Sequence, residues 1–114
     1  MKKNVLVVIT DQKGRAFCVS NLEDMAYANI FSINASWTTL EVMNQIDDIV
    51  IKGTVDFAIV EEKFIPVDEE AGKINVPFAI RRKFSEVQIV PWSKLKYDQD
   101  DKGYMYRVME EIGE

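Results

Sequence analysis

Apolar residues in this chain fall into short runs separated by polar turns, and their period changes from run to run. Val5–Ile9 (VLVVI) is unbroken and β-branched, the pattern of a buried strand. Asn29–Asn34 (NIFSIN) alternates and reads as a second strand. In TTLEVMNQIDDIVIKG, Leu40, Met43, Ile46 and Val50 recur at spacings of three and four, which predicts a helix over 38–52 with those residues on one face. Thr38 and Glu41 have the spacing of a capping box, and Gly53 stands where a left-handed helix cap is wanted. Phe57-Ala58-Ile59-Val60 then makes a strand apolar on both faces, within 55–60. Downstream, Val76–Ile80 (VPFAI) and Glu86–Pro91 (EVQIVP) read as two further strands. The few residues between them are too few for a parallel crossover, which predicts adjacent antiparallel strands or one interrupted strand. Tyr104, Met105, Val108, Met109 and Ile112 form the stripe of a C-terminal helix at about 102–112, capped by Asp100 or Asp101.

Residues 12–27 fit two patterns. Phe17, Cys18, Leu22, Met25 and Ala26 make one face of a short helix. Alternatively Asp11–Gly14 is a turn and Ala16–Ser20 the return strand of a hairpin. The helix is favoured. Pro66–Lys73 (PVDEEAGK) reads as an acidic loop or one helical turn, and 94–101 as a polar linker. Together these elements predict a single α/β domain over 1–114, in three layers. Its sheet is flavodoxin-like and mostly parallel, of about five strands, with an antiparallel edge; the alternative is an α+β domain opened by the hairpin.

Composition narrows the function. The chain has 114 residues, is 47% hydrophobic and carries a net charge of −5. That balance argues against a broad nucleic-acid-binding face, which is normally basic. No run approaches the roughly 18 apolar residues of a membrane span, and Val5–Ile9 is too short for an export signal. A cytoplasmic protein is expected, and the sequon Asn34-Ala35-Ser36 carries no weight there. Histidine is absent, which removes Ser-His-Asp and Cys-His catalysis and histidine-ligated zinc within the chain. The single cysteine, Cys18, cannot form an intrachain disulfide and reads as a small core residue. Trp37 reads as a staple against the helix start, and the glycines form no phosphate-cradling motif.

Two clusters carry chemistry. Asp11 and Glu61/Glu62 end two neighbouring strands, and in open α/β sheets ligands gather at the carboxyl ends of strands. Such acids are able to hold a hard cation such as Mg2+, but the favoured expectation is no cofactor, with the acids facing water. Arg81, Arg82 and Lys83, with Lys94 and Lys96, are the local basic cluster of an acidic chain. Trp92 and Tyr97 are interleaved with them. Arg and Trp dominate binding hot spots, so this edge is the candidate interface for a protein partner with an acidic surface, or for an anion.

VLVVITD, ANIFSINASWTTLEVMNQI and VDFAIVEEKFIP, over residues 4–66, resemble the first half of a receiver domain of two-component signalling. The resemblance places Glu61 at the phospho-acceptor position, Asp11 at the acidic metal-binding position and Pro66 near the family's proline. Glu61 replaces the family's aspartate, one acid rather than two follows the first strand, and Arg82 stands where a small hydroxyl residue is usual. Val90-Pro91 also lacks the family's lysine before proline. A receiver without its switch parts implies a non-catalytic regulatory or inhibitory interaction module. In size, strand order and C-terminal helix the chain is also similar to the small F subunit of V-type rotary ATPases, without that subunit's early glycine-rich motif. This second resemblance implies a small subunit of a larger assembly.

Overall fold

The computed structural model describes residues 3–24, 28–33, 38–49, 54–65 and 75–113. Four strands, β1 (Lys3–Val8), β2 (Ala28–Ser32), β3 (Phe57–Glu61) and β4 (Gln88–Trp92), form one sheet in the order β2-β1-β3-β4. Every pairing is parallel, with Val5 opposite both Ile30 and Phe57, and Phe57 opposite Gln88. Five helices complete the described chain: α1 (Gln12–Glu23), α2 (Thr39–Asp48), α3 (Val76–Lys83), α4 (Lys94–Gln99) and α5 (Asp101–Gly113). This is a flavodoxin-like three-layer α/β fold with four strands, and its order is that of the first four flavodoxin strands.

Strand alternation divides the core in two. Leu6, Val8, Ala58 and Val60 face Val42 and Ile46 of α2 and Val76, Ala79 and Ile80 of α3. Val5, Val7, Phe57, Ile59, Val90 and Trp92 face Cys18 and Leu22 of α1 and Tyr104, Met105, Val108 and Ile112 of α5. Each fully buried aliphatic side chain here contributes about 1.5–3 kcal/mol, and all five residues of β3 are buried, as its unbroken apolar run requires.

The helix reading of residues 12–23 holds, with Asp11 as its cap; Met25, Ala26, the sequon and Trp37 lie outside the described residues. The Thr38 cap forms as expected: its Oγ1 accepts from the Glu41 N–H at 3.3 Å and donates to Glu41 Oε1 at 3.1 Å. Helix α2, however, ends at Asp48, where Ile49 turns extended, and its buried face is Val42 and Ile46. Met43 only flanks that face, and Leu40 is 66% exposed. Val50, Gly53, Pro66 and the acidic loop fall outside the described residues.

Three expectations for the second half are corrected. Val76–Ile80 is the start of helix α3, not a strand. Asn75 Oδ1 accepts from the Phe78 N–H at 2.8 Å, Pro77 falls in the first turn where its missing donor costs nothing, and Arg81, Arg82 and Lys83 complement the negative C-terminal end. With α3 as the crossover, β4 pairs parallel to β3, so the described sheet has no antiparallel edge and four strands rather than five. The linker at 94–101 is mostly helix α4, capped by Ser93 Oγ on the Lys96 N–H and supported by the Lys94–Asp98 pair at 3.0 Å. None of its residues is buried, which is why no apolar stripe announces it. Asp100 Oδ1 then accepts from the Gly103 N–H at 3.2 Å and caps α5.

Candidate functional site

The strand order reverses between β1 and β3, so the carboxyl ends of those strands form the switch point at which such folds place ligands. Glu61, the last residue of β3, stands there with 5% exposure. Its Oε1 accepts from the Thr10 N–H at 2.9 Å, from Thr10 Oγ1 at 3.2 Å and, more loosely, from the Asp11 N–H at 3.4 Å. Its Oε2 lies 3.5 Å from Lys63 Nζ. The buried carboxylate is thus fully partnered, as a buried charge must be, and it stitches β3 to the turn that follows β1.

Asp11 is engaged as well. One carboxylate oxygen accepts from the Gly14 N–H at 2.9 Å and caps α1; the other lies 4.0 Å from Lys94 Nζ. The hydrogen bond from Lys94 to Asp98, reinforced by the fields of Asp11 and Glu61, raises the lysine's pKa and keeps it charged. The structure therefore brings Asp11 and Glu61 together as expected, but with two lysines beside them. Glu62 turns away into a 3-10 turn, Glu62–Phe64, and lines a groove with Pro91, Tyr104 and Arg107. Among the described residues no three His, Cys, Asp or Glu side chains gather where they are able to share a metal ion.

The basic–aromatic cluster is divided between the two ends of the sheet. Arg81, Arg82 and Lys83 end α3, before β4 begins, whereas Lys94, Lys96 and Tyr97 follow its far end. Lys83 Nζ donates to the carbonyls of Ile46 (3.0 Å), Asp47 (2.6 Å) and Ile49, closing the C-terminus of α2. Arg82 reaches both Asp47 oxygens, at 3.0 and 3.2 Å, and its guanidinium lies 6.0 Å from the Phe78 ring centroid. Arg81 and Lys96 are exposed and make no ion pair among the described residues. Trp92 is fully buried, so it is a core residue rather than an interface one. Its ring packs on Tyr97 at 5.1 Å and Tyr104 at 6.2 Å, and its Nε1 finds no hydrogen-bond partner among the described residues. Tyr97 also meets Phe17 at 5.7 Å, and burial, followed by the fields of Asp101, Asp11 and Asp98, raises its pKa. Cys18 is buried as expected, and burial pushes its thiol up to about 12, far from a reactive thiolate.

Three participants were not anticipated: Thr10, Ser93 and Gly14. Ser93 had the signal of a cap residue directly after a strand, but Thr10 and Gly14 act through partners 51 and 78 positions away that no local pattern reveals. No helix of the described residues is long and apolar enough to cross a membrane. Neither family models, nor curated proteins, nor solved structures give a match to the chain.

Proposed function

We propose that the chain is a non-catalytic cytoplasmic interaction module, regulatory or inhibitory, built on a receiver-like plan that has lost its switch. The observation that carries this reading is the state of Glu61. At the position where a receiver would present a phospho-acceptor, the carboxylate is 5% exposed and tied to Thr10, Asp11 and Lys63. The buried Cys18 thiol and the absence of histidine leave the neighbourhood without a reactive thiolate or an imidazole base. The partner-facing residues are Arg81 and Arg82, which suit an acidic protein surface; Trp92 and Lys83 drop out because one is core and the other closes a helix, and Lys96 because it lies at the other end of the sheet.

The competing reading is a Mg2+- or anion-binding domain, favoured by the meeting of Asp11 and Glu61 at the switch point. A third, a small subunit of a larger assembly, is favoured by large apolar side chains left exposed among the described residues: Leu40, Phe78, Leu95 and Tyr106. Two measurements separate them. Amide shifts of Thr10, Asp11, Glu61 and Lys63 should stay still as magnesium is titrated to millimolar levels. Affinity capture from the source lysate should return one stoichiometric protein, lost in the Arg81→Glu/Arg82→Glu variant at unchanged thermal stability. Saturable metal shifts with no captured protein would sink the module; capture indifferent to the charge reversal would sink its surface.

A further inference from the structure

Among the described strands, β4 is an edge of the sheet. A groove of about 360 Å3 lies there, lined among others by Pro91, Tyr104, Arg107 and Val108. Backbone groups alternate along a strand. The Gln88 N–H donates inward to the Asp56 carbonyl at 3.0 Å, so Gln88, Val90 and Trp92 address β3, while Ile89, Pro91 and Ser93 point outward. An open row of outward donors and acceptors recruits another strand.

Here that row is interrupted chemically. Pro91 has no N–H to donate. Its carbonyl accepts from the Tyr104 hydroxyl at 3.4 Å, and the same hydroxyl oxygen accepts from the Ser93 N–H at 2.6 Å. One side chain of α5 thereby occupies both remaining groups at the carboxyl end of the edge, and among the described residues Ile89 is the next to point its groups outward. Tyr104 is held in place for this by its ring contact with Trp92 and by the Asp100 carbonyl, which accepts from the Tyr104 N–H at 2.9 Å.

We infer that Pro91 and the Tyr104 hydroxyl form a two-part guard that keeps a second copy of this chain from pairing β4 with β4. The occupant excluded is a second copy because a strand edge presented twice about a two-fold axis is self-complementary. This inference does not depend on the proposed function.

The test compares the natural chain with Tyr104→Phe and with Tyr104→Phe/Pro91→Val. Mass is followed by light scattering over a concentration series, and amide hydrogen exchange is read at Ile89 and Ser93. The natural chain should gain no protection at Ile89 as its concentration rises. Tyr104→Phe keeps the ring packing and removes both hydrogen bonds of the hydroxyl; the one from the Ser93 N–H is worth about 0.5–1.5 kcal/mol, so Ser93 exchange should quicken roughly two- to twelvefold. The double variant should dimerise with concentration and gain protection at Ile89. Unchanged Ser93 exchange in Tyr104→Phe overturns the inference. So does a double variant that folds and remains monomeric, or a natural chain that already self-associates with Ile89 protected. Should the double variant fail to fold, the Ser93 result from Tyr104→Phe decides.

Discussion

Replacing Gly14 with alanine sets two effects of opposite sign against each other. Gly14 lies in the first turn of α1 with helical backbone, so helix propensity alone makes alanine better by about 1 kcal/mol. Space argues the other way. A Cβ at position 14 would stand 2.4 Å from Trp92 Cη2, 2.7 Å from Trp92 Cζ2 and 2.9 Å from Asp11 Oδ2, where carbon contacts settle at about 3.5–4.0 Å. The indole has nowhere to retreat, being fully buried between Tyr97 and Tyr104. Overpacking of a tight core costs about 1–3 kcal/mol, and two contacts with a rigid ring place this site at the upper end. The net expectation is a loss of about 2 kcal/mol, or roughly 8 °C in Tm for a chain near 100 residues. Urea unfolding should show a lower midpoint at unchanged slope. In a Trp92→Phe background, where the ring is smaller, the penalty should shrink, giving a coupling energy between the two positions. A Gly14→Ala variant as stable as the natural chain, or more so, would refute the claim that this glycine is present for space.

The remaining predictions are briefer. Lys83→Met removes the cation that closes the C-terminus of α2 and should cost about 1 kcal/mol in urea unfolding, whereas Arg81→Ala, with no partner among the described residues, should stay within about 0.5 kcal/mol. The two results falling together would show that the basic run acts as one surface. For Cys18, burial raises the folded pKa to about 12 from the ordinary thiol value of 9.0, so between the two the native state holds its proton while the unfolded chain releases it. Its contribution is complete below pH 9.0 and is lost as pH rises towards about 12. Cys18→Ala should flatten the alkaline fall in Tm, and a disulfide reagent should label the native thiol only at the rate of opening.

The parts of the fold legible in the sequence are those fixed by burial on both faces or by adjacent polar signals. β1 and β3 are unbroken apolar runs because both of their faces are covered, and α1, α2 and α5 each carry a capping residue and a stripe. The reading failed at Val76–Ile80, where five apolar residues in a row mimic a strand. The deciding cue, Asn75 two residues before Pro77, is a helix-start signal. That one misreading also produced the antiparallel edge, since without α3 there is no crossover between β3 and β4. Leu40 was assigned inward because spacing defines a stripe but not its phase; the buried phase is set by Val42 and Ile46. At the site, the meeting of Asp11 and Glu61 was legible from strand ends. What Glu61 does there was not, because its partners are backbone N–H groups 50 and 51 positions away.

For the proposed interaction module, these observations restrict where a partner binds. At the switch point, Glu61 bridges β3 to Thr10 and Asp11, so a ligand entering between the strands must first displace a charged group from buried hydrogen bonds, at a cost of about 1–3 kcal/mol per unsatisfied partner. Along β4, a missing donor and an occupied carbonyl oppose strand addition. The helical faces carry no such obstacle. On α3, Phe78, Arg81 and Arg82 are spaced to share one face, and all three are exposed. Arg82 joins that face to α2 through Asp47, with Leu40 near the start of the same helix. An exposed aromatic ring flanked by the Arg82 guanidinium, with Arg81 beside it making no ion pair among the described residues, is the kind of arrangement from which binding hot spots are built. A partner that docks on this protein is therefore expected to lose affinity on Phe78→Ala, and to be indifferent to Tyr104→Phe. The reverse pattern, measured by titration calorimetry with the captured partner, would move the interface to the sheet edge.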